Sequence, residues 1–106
     1  MLAQCTVADL RKAQDWYELL FERGPDVRPM DGLIEWHFGR VAGLQIWHDP
    51  DRAGKSTVVL DVPNFGDELR RLDRLGMSHD DPIHTPRFKV VTLYDPDHNR
   101  IVLTGD

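Results

Sequence analysis

Residues 7–21 run Val-Ala-Asp-Leu-Arg-Lys-Ala-Gln-Asp-Trp-Tyr-Glu-Leu-Leu-Phe. Asp9 is placed to cap a helix, because its carboxylate can accept from the backbone N–H groups that a first turn leaves unpaired. Leu10, Ala13, Tyr17, Leu20 and Phe21 then recur at spacings of three and four, which is one apolar stripe of an amphipathic helix. Arg11, Lys12, Asp15 and Glu18 take the solvent side, and Gly24-Pro25 is expected to end the helix. The pattern returns 55 residues later, with Val7 matching Val62, Leu10 matching Phe65, Tyr17 matching Leu72 and Leu20 matching Leu75. Asn64 is the second cap and Gly76 the second stop. Any two amphipathic helices share some periodicity, but the strand-end valines match as well, which supports a duplication.

Strands fill the rest of each half. Leu2 to Val7 precedes the first helix. Asp26 to Met30, Leu33 to Phe38 and Ala42 to His48 follow it, with Asp31-Gly32 and Gly39-Arg40 as turn signals. Asp49-Pro50-Asp51 opens a polar loop to Lys55. The β-branched run Ser56 to Val62 begins the second half. After the second helix come a weak strand near Pro82 to His84, then Arg87 to Tyr94 and Arg100 to Thr104, the last two joined by Asp95-Pro96-Asp97-His98-Asn99. The expected architecture is a single α+β domain of two βαβββ modules, at about 1–50 and 55–106.

Composition narrows the partners. The chain has 106 residues, with 13 Lys+Arg against 18 Asp+Glu, a formal charge of −5 with His neutral. That balance argues against nucleic acid, which calls for a clustered positive surface. No apolar run reaches the length of a membrane span, and Met1 to Cys5 has no basic region leading into an apolar one, so no secretory signal is expected. One cysteine builds neither a disulfide framework nor a Cys-rich zinc site, so a reducing cytoplasm is the expected compartment. Cys5 alternates with Ala3 and Val7 and is expected to face the helix as a small buried hydrophobe.

Two motifs, Val7-Ala8-Asp9-Leu10 leading into Trp16-Tyr17, and Asp95-Pro96-Asp97-His98-Asn99-Arg100-Ile101, resemble those of the vicinal oxygen chelate superfamily, which groups glyoxalase I, bleomycin-resistance proteins and extradiol dioxygenases. The likeness covers essentially the whole chain. One departure is His98, where the family has glycine at a turn position that often needs positive φ. The resemblance implies a cup-shaped mixed sheet, with ligands in the concave face and often a homodimer completing it. It does not imply one activity, because the superfamily hosts unrelated chemistries. Metal-dependent members carry a His, Glu or Gln ligand on each of four strands. Aligned by the motifs, these positions fall at Leu2, Gln45, near Thr57, and Val102. Only Gln45 offers such a donor, while a divalent transition metal wants three or more N, O or S ligands. No metal, no cofactor and no catalytic residue are therefore expected.

Alternation sets the expected pocket. With Gln45 in the cup, Gly43 and Trp47 join it, as do Leu2, Gln4 and Thr6, then Thr57, Val59 and Asp61, then Val102 and Thr104. Glu35 and His37 share one strand face and could converge on an ion, or simply form a polar face above Ile34, Trp36 and Phe38. Trp47 could stack on a planar or cationic ligand, or fill core or interface. Trp36 joins the pocket if its strand pleats the other way. Asp61 stands near the rim, either pairing with a cationic ligand or solvated. The expected ligand contacts are thus Gln45, Trp47, Trp36, Glu35, His37, Thr57 and Val102. The expected function is metal-free binding of an aromatic or amphiphilic small molecule such as an antibiotic, by a homodimer. The alternatives are a metal-dependent lyase, isomerase or dioxygenase with an atypical site at Gln45, Glu35 or His37, and an interaction module whose cup is filled by its own side chains.

Overall fold

Each helix sits against one face of a four-stranded sheet because every strand alternates a buried and an open side. A computed structural model describes residues 2–106. The first unit contains β1 (Leu2–Val7), α1 (Leu10–Phe21), β2 (Val27–Met30), β3 (Leu33–Phe38) and β4 (Ala42–His48). The second contains β5 (Thr57–Asp61), α2 (Phe65–Leu75), β6 (Ile83–His84), β7 (Lys89–Tyr94) and β8 (Arg100–Gly105). The sheet orders are β1-β4-β3-β2 and β5-β8-β7-β6. In each, the pair bracketing the unit (β1/β4, β5/β8) is parallel and the other pairs are antiparallel, so both sheets are mixed. This is the α+β architecture expected, with β1, β3 and β4 at the expected bounds.

Side chains toward the helices make one core across both units. Cys5, Val7, Ile34, Trp36, Leu44 and Ile46 pack beneath Ala13, Tyr17 and Leu20 of α1, while Val58, Val91, Leu93, Ile101 and Leu103 belong with Phe65 and Leu72 of α2. The caps form as expected: Asp9 accepts from the Lys12 amide at 3.1 Å and Asn64 from the Asp67 amide at 3.0 Å. Gly76 ends α2 in the left-handed region.

The end of α1 differs from expectation. The helix stops at Phe21, with Glu22 left-handed at φ 56°, two residues before Gly24. Tertiary contacts cap this end. Arg71 of α2 donates to the Leu20 carbonyl, which another helical turn would have used, and pairs with Glu22 at 3.3 Å. β7 likewise starts at Lys89 and not Arg87, because Thr85 and Phe88 close a tight turn through two hydrogen bonds to the Phe88 carbonyl.

Candidate functional site

The helix-free face of the first sheet can be read in rows from the strand register. One row is Leu2, Gly43, His37; the next is Gln4, Gln45, Glu35, Val27; the third is Thr6, Trp47, Leu33, Met30. Cross-strand neighbours share a face, so each row is a line of touching side chains. Gly43 is required in the first row, since a Cβ there would stand 2.4 Å from Leu2 Cδ2 and 2.8 Å from the Trp36 carbonyl oxygen. Its absence lets Leu2 and His37 lie across β4.

The middle row is a connected polar chain. Gln4 Nε2 donates to Gln45 Oε1 at 3.4 Å, and Gln45 Nε2 donates to Glu35 Oε2 at 2.5 Å. Glu35 Oε1 is paired with His37 Nε2 at 3.0 Å. Glu35 is buried, yet its carboxyl stays below its ordinary pKa, because His37 and then Gln45 hydrogen-bond the charged form and outweigh desolvation. With Nε2 of His37 held on the carboxylate, Nδ1 is the ring nitrogen left for a visitor. Trp47 stands half-buried in the next row. A cavity of about 240 Å³ opens beside Leu2, Glu35, His37 and Ala42.

The other expected contacts are separated from these. Thr57 and Val102 lie on the helix-free face of the second sheet, where the rows are Thr57, Arg100, Tyr94 and Val59, Val102, Thr92. The Thr57 hydroxyl accepts from Arg100 Nε at 3.2 Å. Trp36 needs correction as a pocket residue. It faces α1, is wholly buried, and donates Nε1–H to the Arg23 carbonyl at 3.0 Å, with Phe21 5.5 Å and Tyr17 5.9 Å away between ring centres. The pleat that turns Glu35 and His37 toward the helix-free face sends Trp36 the other way. A cavity of about 650 Å³ lies elsewhere again, between the two units, and none of the seven expected contacts lines it. Val59 and Asp61, expected in the same hollow as Gln45, are on its wall. The only signal for it in the sequence was an apolar Val59 on a strand's outward side.

The residues do not fit the four-ligand metal centre that the resemblance describes. Leu2 and Val102 have no donor atoms, Thr57 is engaged by Arg100, and Gln45 is spent on Glu35. Glu35, His37 and Gln45 converge, but on one another. Among the described residues, no group of three or more His, Cys, Asp or Glu could hold a metal ion.

No protein-family model matches the sequence, and no curated protein matches it. Solved structures do match. A glyoxalase/bleomycin resistance protein from Catenulispora acidiphila superposes with a TM-score of 0.91 at 23% identity, covering 100% of this chain and 96% of that one. The chain has the glyoxalase/bleomycin-resistance fold. A bleomycin-binding protein complexed with bleomycin superposes at 0.82 with 17% identity, over 100% and 97% of the two chains. A lactoylglutathione lyase from Agrobacterium tumefaciens does so at 0.80 with 15% identity, over 99% and 91%. One fold thus serves a binder and an enzyme, and the site must decide.

Within this glyoxalase/bleomycin-resistance fold the two sequence motifs meet each other, away from the open faces. Tyr17 donates its hydroxyl to Asp95 Oδ2 at 2.7 Å. Asn99, fully buried, donates Nδ2–H to the Thr6 carbonyl and to Asp95 Oδ2, both at 2.8 Å, and accepts from the Ser56 amide at 2.9 Å. Asp97 accepts from the Ala8 amide at 3.1 Å. The motifs are a clamp between the units, which is why they mark the fold and not an activity.

Proposed function

We propose that this chain is a small-molecule-binding protein that takes an aromatic or amphiphilic compound on the helix-free face of its first sheet, without a metal. The observation that supports it most is the pairing, on one face, of the half-buried Trp47 ring with the Gln4–Gln45–Glu35–His37 chain, while Leu2 and Val102 stand where metal donors would be needed. An apolar surface with a few convergent polar groups is what ligand sites generally offer. The neighbour that holds bleomycin supports the ligand class, and bleomycin is the first probe.

The second partner is another copy of the chain. Leu2, Val27 and Met30 on the first open face, and Val59, Ile83 and Tyr94 on the second, are exposed. A second copy seated on these faces would take that apolar surface out of water. Light scattering at micromolar concentration is expected to give a dimer.

Titration with bleomycin is expected to quench tryptophan fluorescence in the native protein and much less in Trp47→Phe, with EDTA changing neither curve. Absence of binding by calorimetry across aromatic antibiotics would sink the proposal. The enzyme alternative rests on the convergence of Glu35, His37 and Gln45. It predicts a stoichiometric divalent ion in native mass spectra of protein purified without chelator, and that result would displace the metal-free proposal.

A further inference from the structure

The 650 Å³ cleft between the units has its own chemistry. β5 is an edge strand, so one wall of the cleft is the open border of the second sheet. Val59, Leu60 and Leu103 line that side, and Phe21, Phe38 and Ala42 line the other. A volume of this size accommodates a drug-sized molecule.

The charges around it are already matched, with one exception. Arg71 is bound by Glu68 and Glu22 and by the Leu20 carbonyl. Arg23 is bound by Asp26 at 2.5 Å and by the His37 carbonyl at 2.6 Å. Neither guanidinium is left for an anionic guest. Asp61 is the exception: its Oδ1 accepts from the Thr104 hydroxyl at 3.2 Å, and it forms no ion pair with any described residue. One face of the Phe38 ring is taken by the Arg23 guanidinium, whose carbon lies 5.8 Å from the ring centre, so the rings serve the guest as apolar surface and Asp61 is the group left for its charge.

We infer that this cleft is a second binding site, for a lipophilic cation, with the apolar body against Phe21, Phe38 and Val59 and the positive group on the Asp61 carboxylate. It is separate from the Trp47 face and stands whether or not that face binds a ligand.

Tetraphenylphosphonium and tetraphenylborate test the charge requirement, because they share a shape and differ in sign. Equilibrium dialysis is expected to show one phosphonium bound per chain and no borate. Asp61→Asn is expected to weaken the phosphonium by about fivefold, the scale of a solvent-open ion pair. Asp31→Asn, which removes the same charge from a distant turn, is expected to leave it unchanged. Val59→Phe, at an exposed position that tolerates bulk, is expected to block it. Methyl NMR shifts should centre on Val59, Leu60 and Leu103 and leave the Trp47 indole unmoved. Equal binding of the borate, an unaffected Asp61→Asn, or shifts centred on the Trp47 indole would each overturn the inference.

Discussion

His98 sits at φ 70° in the turn between β7 and β8, a backbone region in which an L side chain crowds the following carbonyl. The turn holds it there because Asp95 gathers the surrounding amides. Asp95 Oδ1 accepts from the Asp97 and Asn99 amides at 2.9 Å, and the Asp95 carbonyl accepts from the His98 amide at 2.9 Å. The strain at one side chain costs about 1–2 kcal/mol, and glycine gives back part of that in chain entropy. His98→Gly is therefore expected to raise stability by about 0.5–1 kcal/mol, as measured by urea denaturation. This residue was legible in the sequence as a departure from the glycine of the resembling motif, because φ preference is a local property. Cys5 was legible too. It is fully buried, and its thiol is pushed up to about 11 by burial, with the neighbouring Tyr17 hydroxyl lowering it and Asp95 adding to the rise. Trp36 was not legible, since a tryptophan between two polar residues is equally consistent with either pleat until a helix covers one of them.

Strand β3 shows how one element can serve two surfaces. Its even residues, Ile34 and Trp36, are core, and its odd residues, Leu33, Glu35 and His37, are the open face. Charge on Glu35 is favoured in the folded state, so its folded pKa lies below its unfolded one. The stabilisation is complete above the unfolded value and is lost as pH falls through the folded one. Glu35→Gln should thus narrow the stability gap to wild type progressively in mild acid and close it below the folded pKa. A gap that persists unchanged to pH 2 in thermal melts would contradict this. The elements themselves were largely legible from period and caps. Helix α1 is instructive: its stripe and the Gly24-Pro25 stop were local signals, but the bond by which Arg71, 51 residues away, caps the Leu20 carbonyl was not. No periodicity within residues 10–25 carries that information.

At the scale of the whole molecule, Asn99 connects the halves. It joins the turn of the second unit to β1 of the first through the Thr6 carbonyl and to the start of β5 through the Ser56 amide, both part-buried bonds, with a buried third bond to Asp95 in its own turn. Asn99→Ala would leave the Ser56 amide without a partner, the Thr6 carbonyl with only the Gly54 amide at 3.4 Å, and one Asp95 oxygen with fewer. A loss of about 2–4 kcal/mol is expected, read as a lower denaturation midpoint. Survival of Tyr17→Phe with a smaller loss would show that the backbone links matter more than the phenol. The sequence by itself determined the order of elements, the two caps, the turn glycines and which residues of each strand share a face, because these follow from local geometry with periods of two and 3.6. Only the tertiary structure decided that the two motifs clamp one another, that Gln45 is spent on Glu35, and that a cavity of about 650 Å³ lies between the units with Asp61 on its wall. Those outcomes depend on how two sheets dock, and docking is set by contacts between residues dozens of positions apart that no local pattern records.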